Sequence, residues 1–490
     1  MRTLIQGGWV IGNRSSGHDL LRDGEVVFES DRIIHVGYGF EGPVDARIDA
    51  RGKLVAPGFI DSHVHSGHRA LHRLLSDTGR PELLGQPFLE IALRRPGTSG
   101  ADPRSAQGDI SVQARFTIAE LLRNGITTFI EFGSNPKVLD ALAVEAVALG
   151  IRAWLGAGYE SYKWVADSNG RRRREENEAQ GEHEMDEALA FIEKCERHVS
   201  GRLAGLLVPR DTDTCSVPLL ERTARISHER GLLVATHAAY SPWEFHDILA
   251  SHGCTPIELL ERIGLLHDRI LIGHGNFLAG SGRFHHAGGR DLELLARSGA
   301  TVSHCPINLI RRGRVLDSWA SYRAAGVPIA LGTDTYPRDM IMQMRAASYM
   351  AKMVTRDYFT APAQELFDAA TLAGARALGR QDIGKLSPGA KADIVVIDLT
   401  ARDTLRYGPV RDPVRLLVEC GIGDDVETVI VDGRTCVAER RLIGVDLDAL
   451  RKTVQAEAET QWSGVAGWDP LGRTADERSP WSYPLREQRP

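Results

Sequence analysis

The middle of the chain, from residue 56 to residue 385, alternates short apolar segments with amphipathic helical patterns. The segment that ends at Ser62 is the first of eight predicted strands; the other seven are Thr127–Ile130, Arg152–Leu155, Leu203–Val208, Leu232–Thr236, Ile270–Gly273, Ala300–Ser303 and Ile329–Gly332. Strands that alternate with helices form parallel sheets. Eight such units in roughly 330 residues predict an α/β protein with a (β/α)8, TIM-like barrel.

Both flanks of this region have a different pattern. Short β segments separated by Gly and Asp-Gly turns fill residues 1–55, and the same pattern returns near Ile394–Asp398 and Val429–Arg434. We therefore predict a composite β-sandwich domain from residues 1–55 and 386–445 around a catalytic barrel of residues 56–385. Residues 446–490 are expected to form a C-terminal helix and a surface tail.

The composition narrows the class of partner. The formal net charge is −6, from 59 basic and 65 acidic residues, and no basic stripe indicates binding to nucleic acid. The six cysteines are scattered without a Cys-x-x-Cys pair, and we find neither a secretory signal nor an apolar run of bilayer length. We therefore expect a cytoplasmic protein with reduced thiols, no membrane contact and a small-molecule substrate.

Side chains that can bind metal follow five of the eight predicted strands. They are His63, His65, His237, His274, His304 and Asp334. Barrels of this kind place their chemistry at the carboxyl ends of the strands, so these side chains are expected on one rim. His63 and His65 are two residues apart and point to the same side of a strand, which begins a site for a divalent metal, zinc above all. Each residue alone also fits a structural role, such as a helix N-cap for Asp334.

Three sequence motifs carry a resemblance to a known family. They are PGFIDSHVH at residues 57–65, LGTD at residues 331–334 and GKLSPGAKAD at residues 384–393. With the order of the strands, they make the chain resemble the amidohydrolase superfamily over nearly its whole length, close to the cytosine deaminase and triazine hydrolase (atrazine chlorohydrolase-like) branch. The resemblance also suggests a homodimer or a larger homo-oligomer.

The resemblance implies a role for each rim residue. One divalent metal, Zn2+ with Fe2+ or Co2+ as alternatives, would be bound by His63, His65, His237 and Asp334. His274 would orient and polarise the metal-bound water, whose pKa the metal lowers toward neutrality, and Asp334 would take its proton.

The same resemblance indicates how many metal ions the site binds. It also indicates residues that face the substrate. Two-metal relatives carry a carboxylated lysine on strand four, but here that strand end reads Val208–Asp211, so a mononuclear site is predicted. The resemblance implies that His304, and Asn308 just beyond it, face the substrate, and we expect Tyr240 to contact the substrate as well.

One departure from the branch bears on the substrate. Deaminases of this branch carry His-x-x-Glu on strand five, whereas this chain has Tyr240 in the place of the glutamate. Tyrosine, with an ordinary pKa of about 10, is a poor proton shuttle at neutral pH. Glu244 follows His237 by seven residues and is interpreted as an exposed helix carboxylate.

We therefore expect cleavage of an amide, urea, carbamate or thiocarbamate type C–N or C–S bond, by analogy with phenylurea and thiocarbamate (molinate) hydrolases. The alternative is an aminohydrolase or chlorohydrolase of a nitrogen heterocycle, such as a triazine or pyrimidine, in which Tyr240, Glu244 or His304 supplies the missing role. The least favoured hypothesis is a non-catalytic scaffold.

Overall fold

The computed structural model describes residues 1–15, 17–67, 69–78, 108–166, 172–281, 286, 288–316, 319–400, 405–469 and 471–486. Its strands are β1 (Arg2–Arg14), β2 (Gly17–Glu29), β3 (Arg32–Gly37), β4 (Ala46–Asp49), β5 (Lys53–Pro57), β6 (Phe59–Val64), β7 (Ile126–Ser134), β8 (Arg152–Tyr159), β9 (Tyr162–Ala166), β10 (Arg172–Glu176), β11 (Leu203–Gly205), β12 (Val208–Pro209), β13 (Val234–Ala238), β14 (Ile270–His274), β15 (Thr301–His304), β16 (Ile329–Leu331), β17 (Ile394–Asp398), β18 (Val426–Val431), β19 (Arg434–Ala438) and β20 (Arg441–Leu442).

The helices follow the strands along the chain. They are α1 (Arg69–His72), α2 (Ile110–Arg123), α3 (Pro136–Leu149), α4 (Glu178–Glu196), α5 (Val217–Arg230), α6 (Pro242–His252), α7 (Pro256–Arg262), α8 (Asp291–Ser298), α9 (Pro306–Arg311), α10 (Trp319–Ala325), α11 (Met340–Thr355), α12 (Ala363–Ala369), α13 (Leu372–Ala377), α14 (Pro413–Cys420), α15 (Leu447–Ser463), α16 (Val465–Trp468) and α17 (Ala475–Arg478), with a 3-10 turn at Gly423–Asp425. Among the described helices, none has the length and apolar character that a membrane crossing needs.

The two ends of the chain share one nine-stranded sheet. Its order is β20-β19-β18-β17-β5-β1-β2-β3, with β4 paired to β1. The join between the two ends is the antiparallel pairing of β17 with β5, in which Val395 lies opposite Ala56. Apolar side chains from both ends, including Ile5, Val55 and Ile394, pack in one buried cluster. The expected association of the two flanks is therefore present as a continuous sheet.

The middle of the chain forms two parallel sheets. One has the order β11-β8-β7-β6 with β12 also paired to β8, and the other has the order β13-β14-β15-β16. Isolated bridges join their edges, from Val64 to Asp334 on one side, and from Leu207 to Val234 and Asp211 to His237 on the other. The strands of both sheets are almost wholly buried, as expected for parallel strands covered by helices. The chain is therefore an α/β protein.

The fourth predicted strand is interrupted. β11 pairs with the first half of β8 and β12 with its last two residues. Between them, the backbone N–H of Leu207 donates to Leu233, and the carbonyl of Leu207 accepts from Ala235. The hydrogen bonds of this segment therefore switch from the first sheet to the second, which periodicity alone does not predict.

A buried ion pair connects the parallel strands to the nine-stranded sheet. The guanidinium of Arg152 on β8 lies 3.2 Å from a carboxylate oxygen of Asp393 and 3.2 Å from one of Asp432. Only 1% of the Arg152 side chain and 2% of the Asp393 side chain are exposed. Elsewhere, all six cysteines are free thiols, as predicted.

Candidate metal centre and active site

Three imidazoles meet at the carboxyl ends of β6 and β13. The Nε2 atoms of His63 and His65 are 3.1 Å apart. The Nε2 atom of His237 lies 3.3 Å from each of them. The structure thus brings together the three histidines that were expected to converge, although His237 is more than 170 residues from the other two along the chain.

Hydrogen bonding does not explain this triangle. A neutral imidazole nitrogen is either a donor or an acceptor, so three Nε2 atoms that all face one another cannot be satisfied in pairs. Tetrahedral coordination with zinc–nitrogen bonds of about 2.0–2.1 Å separates the nitrogens by roughly 3.3 Å. The triangle therefore has the dimensions of a cradle for a divalent ion such as Zn2+.

Close packing holds the rings of the triangle. The ring of His63 stacks on Phe132 of β7 with centroids 3.8 Å apart. Gly273 of β14 lies close to two of the rings, since an added Cβ would be 2.9 Å from His63 and 2.8 Å from His237. Because such distances are shorter than van der Waals contact, only glycine fits at this point.

Asp334 and His274 complete the cluster. The Oδ1 atom of Asp334 lies 3.8 Å from Nε2 of His65, and its Oδ2 atom lies 3.5 Å from Nε2 of His274. The main chain fixes the position of Asp334, since its N–H donates to the carbonyl of His63 and its carbonyl accepts from the N–H of His65. Ligand atoms of His63, His274 and Asp334 lie within 4.8 Å of one another.

The backbone is strained where these side chains leave the strands. Ala239, His274 and Asp334 have φ angles of 49°, 76° and 62°, in the left-handed region that residues with a Cβ rarely adopt. Such conformations cost about 1–3 kcal/mol each and persist where the surrounding structure imposes them, often at functional sites. Three such conformations therefore lie on the rim that carries the cluster.

A carboxylate orients the third imidazole of the triangle. The Nδ1 atom of His237 lies 2.8 Å from Oδ1 of Asp211 and 2.9 Å from the carbonyl oxygen of Arg210. A proton on Nδ1 leaves the lone pair of Nε2 directed at the centre of the triangle, which is the tautomer that metal binding needs. Asp211 is visible in the sequence as a carboxylate after strand four, but no sequence pattern indicates this role.

The electrostatic environment keeps most of the imidazoles neutral. Burial, and then the neighbouring histidines, hold the pKa of His63 well below its ordinary value. Burial and nearby cations do the same to the pKa of His274. Burial alone would lower the pKa of His237, but the hydrogen bond and charge of Asp211 outweigh it and raise the pKa. Neutral imidazole is the form that binds a metal.

Two residues expected at the substrate lie beside the cluster. His304 ends β15 and is only 1% exposed, and burial lowers its pKa to about 3. The side-chain amide of Asn308 on α9 donates to Oδ2 of Asp334. Asn308 therefore holds the carboxylate, and contact of His304 or Asn308 with a substrate stays a prediction.

The side chain of Tyr240, which occupies the position of the glutamate in the branch, is held by a hydrogen bond. Its hydroxyl donates to Oδ1 of Asp213 at 2.9 Å, and the indole N–H of Trp164 donates to the other oxygen at 3.1 Å. Its ring lies 5.9 Å from the ring of His237. Burial, and then the charge of Asp213, raise the pKa of Tyr240 well above its ordinary value. The tyrosine is therefore a protonated hydroxyl beside the cluster.

The interpretation of Glu244 as an exposed carboxylate is wrong. Glu244 lies in the first turn of α6 and is fully buried. One oxygen accepts from the hydroxyl of Thr212 at 2.5 Å and from the N–H of Ala239 at 2.9 Å, and the other accepts from the N–H of Tyr240 at 3.0 Å. Its burial follows because the first turn of the helix packs under the backbone that connects β13 to α6.

Comparison with known proteins identifies the family. Residues 54–436 match the model of the amidohydrolase family. The 5-methylthioadenosine/S-adenosylhomocysteine deaminase of Thermococcus kodakarensis is 31% identical over 438 residues, which is 89% of this chain and 93% of that protein. The enzyme of the same description from Pyrococcus abyssi is 29% identical over 91% of this chain and 96% of that protein.

Solved structures share the fold. An adenosine deaminase from Xanthomonas campestris with bound zinc superposes with a TM-score of 0.78 at 22% identity, covering 94% of this chain and 98% of that one. The atrazine chlorohydrolase of Arthrobacter aurescens TC1 in complex with zinc gives 0.77 at 23% identity, covering 93% and 100%. With the family match and the histidine cluster, these comparisons show that the chain belongs to the amidohydrolase family and is a hydrolase of carbon–nitrogen bonds.

Proposed function

We propose that the chain is a mononuclear metallohydrolase that cleaves an amide, urea, carbamate or thiocarbamate type C–N or C–S bond of a small molecule. The proposed ligands of one divalent ion, Zn2+ before Fe2+ or Co2+, are His63, His65, His237 and Asp334. The fit of the triangle of Nε2 atoms to zinc–nitrogen distances supports this assignment. When bound, the metal would lower the pKa of a coordinated water and polarise a carbonyl oxygen.

The residues around this site are proposed to transfer the proton, orient the attacking water and position the carboxylate. Asp334 lies between His65 and His274, so its carboxylate is placed to take a proton from the nucleophile and return it to the leaving group. His274 is buried and neutral, so its Nε2 can orient the attacking water through a hydrogen bond. Asn308 keeps the Asp334 carboxylate in place.

The proposed substrate class is supported by the hydrogen bonds that Tyr240 and Glu244 already make within the protein. Attack on a ring amidine needs an acid at the ring nitrogen, but the Tyr240 hydroxyl already donates to Asp213. Glu244 accepts three hydrogen bonds and is held under the backbone. A carbonyl substrate avoids this requirement, because a bound metal would supply the positive charge that its oxygen needs.

Replacement of Tyr240 by phenylalanine tests this reasoning. We expect kcat/KM for a phenylurea, a carbamate or an anilide to change by less than about threefold, because the hydroxyl has no proton-transfer role in this account. A matched Asp213→Asn variant is expected to behave in the same way. A loss of about a hundredfold or more in both variants would instead identify the pair as the acid and contradict the proposal.

A second candidate is an aminohydrolase of a nitrogen heterocycle. The relative that is 31% identical is named a 5-methylthioadenosine/S-adenosylhomocysteine deaminase. In this case the Tyr240 hydroxyl, backed by Asp213, would supply the missing acid. A screen of the metal-loaded protein against ureas, carbamates, anilides, aminotriazines and 5-methylthioadenosine separates the two, since only the last two classes release ammonia from a ring.

Replacement of Asp211 by asparagine tests how the metal is held. The amide removes the negative charge beside Nδ1 of His237, and loss of such a partner typically weakens metal binding by about 10–100-fold. Competition with a chromogenic chelator measures this affinity. Asp213→Asn, two residues away, serves as the control because Asp213 contacts Tyr240 and Trp164. Equal affinity in the wild type and the Asp211 variant would show that Asp211 does not orient the ligand.

We also propose the finer architecture. The bridges Val64–Asp334 and Leu207–Val234 join both pairs of sheet edges, which supports one closed (β/α)8 barrel over residues 56–385. The nine-stranded sheet supports the composite β-sandwich domain of residues 1–55 and 386–445. Helix α15 begins the proposed C-terminal segment, residues 446–490. The homo-oligomeric state and the cytoplasmic location stay predictions from the sequence.

A further inference from the structure

The sheets do not hold the three histidines of the triangle in the same way. His63 lies within β6 and His237 within β13, whereas His65 is the first residue beyond the end of β6. The His65 side chain is also more exposed, at 24% against 13% for that of His237. The position of His65 therefore depends more on contacts outside the strands than the positions of the other two histidines do.

Side chains from three separate parts of the chain hold the main chain at His65 and Ser66. Arg338, between β16 and α11, donates to the carbonyl oxygen of His65 at 2.7 Å. Both carboxylate oxygens of Glu131 on β7 accept from the N–H of Ser66, at 3.2 and 3.1 Å. The hydroxyl of Thr117 on α2 donates to the carbonyl oxygen of Ser66 at 3.2 Å. We call Arg338, Glu131 and Thr117 the His65 clamp.

The clamp is buried, and its guanidinium group has two fixed partners. Arg338 is 2% exposed, and Glu131 and Thr117 are fully buried. The Nη1 atom of Arg338 lies 3.0 Å from a carboxylate oxygen of Glu120, and its Nη2 atom donates to the carbonyl oxygen of His65. A buried guanidinium group is stable only where it is paired and hydrogen-bonded, so these two contacts determine where it lies.

The clamp connects the protein interior to the geometry of the triangle. Buried main-chain groups beyond the end of a strand need hydrogen-bond partners, which the clamp provides at His65 and Ser66. A movement of this main chain would also move the Nε2 atom of His65, which lies 3.1 Å from that of His63 and 3.3 Å from that of His237. Distances in metal sites vary by only about 0.2 Å, so such a movement would weaken metal binding.

We propose that Arg338 is a positioning residue of the metal centre, which acts through the His65 clamp to place the His65 imidazole. This inference rests on the metal site of the proposed function, but on no particular substrate. Contacts that orient metal ligands from outside typically change metal affinity by about 10–100-fold. The clamp performs for His65 the task that Asp211 performs for His237.

Zinc affinity tests the proposal without turnover. Competition with a chromogenic chelator is measured on the full-length chain in the absence of denaturant. Arg338→Gln is expected to weaken zinc binding by about tenfold or more. Arg338→Lys is expected to weaken it less, because lysine keeps the charge and can donate to the same carbonyl oxygen. An affinity in Arg338→Gln equal to that of the wild type would overturn the proposal.

A matched control separates positioning from stability. Arg152→Gln makes the same change at another buried guanidinium group, whose partners are Asp393 and Asp432. We expect this variant to have a lower urea midpoint but the zinc affinity of the wild type. A loss of zinc affinity in Arg152→Gln as large as that in Arg338→Gln would attribute both losses to the weakened fold and overturn the proposal.

A double-mutant cycle tests whether Arg338 acts through His65. In a His65→Ala background, Arg338→Gln is expected to change zinc affinity by less than about twofold, because the clamp then has no imidazole to place. A loss by the same factor in both backgrounds would show that Arg338 acts independently of His65, and would overturn the proposal.

Two further outcomes are distinguishable. If Arg338→Gln does not fold, the isosteric Thr117→Val carries the test, with an expected loss of zinc affinity of about threefold or more. Unchanged affinity in that variant would overturn the clamp. A wild-type chain that binds no zinc would overturn the proposed metal site and this inference with it, whereas equal binding by the wild type and the clamp variants would overturn this inference alone.

Discussion

Replacing Asp334 with alanine is expected to lower kcat by at least about a thousandfold, which corresponds to about 4 kcal/mol of transition-state stabilisation. Asp334 lies between His65 and His274, and the proposed mechanism gives it two tasks, as a metal ligand and as the proton carrier. His63→Ala is expected to have an effect of the same order, because the His63 ring forms one corner of the triangle of Nε2 atoms.

The measurement is initial rate with whichever substrate the screen identifies, at saturating zinc. Asp448→Ala is the matched control, since Asp448 is an exposed aspartate on α15 and its removal is expected to leave kcat unchanged. Circular dichroism confirms that each variant keeps its secondary structure. Full activity in the Asp334 variant would refute the site as described.

Replacing Asp393 with alanine is expected to destabilise the fold by about 3–5 kcal/mol. The change removes the main partner of the buried Arg152 guanidinium, which would keep Asp432 as its remaining ion-pair partner among the described residues. Removing one partner of a buried ion pair destabilises the fold by more than the intact pair stabilises it, because an uncompensated charge stays in the interior. The double variant Arg152→Met with Asp393→Ala is therefore expected to recover part of the lost stability.

The urea midpoint of unfolding, followed by tryptophan fluorescence, measures this effect. Asp424→Ala provides the comparison, because the Asp424 carboxylate that pairs with Arg123 is exposed, and exposed pairs contribute about 0–1 kcal/mol. A midpoint for Asp393→Ala equal to that of the wild type would show that the buried pair does not hold the parallel strands to the nine-stranded sheet.

The positions of the strand-end histidines could be predicted from the sequence, because two regular features of β structure determine them. Alternation along a strand puts His63 and His65 on one side, and parallel strands collect their carboxyl ends on one rim. The structure accordingly brings both together with His237, from a distant strand. The α/β alternation and the shared sheet of the two chain ends follow from equally regular patterns.

Contacts that depend on the segments between strands could not be predicted from the sequence. The hydrogen bond between Asp211, which follows β12, and His237 of β13 depends on side-chain directions that no periodicity specifies. The burial of Glu244 depends on how α6 turns back under Ala239, and a glutamate in a first helical turn is usually exposed.

The triangle of His63, His65 and His237 is proposed to hold one metal ion. The most direct test is elemental analysis of the purified, dialysed wild-type protein by mass spectrometry, with protein concentration from amino-acid analysis. We expect about one equivalent of zinc, or of iron or cobalt, per chain. Less than about a tenth of an equivalent of any divalent metal, after incubation with zinc, would contradict the account.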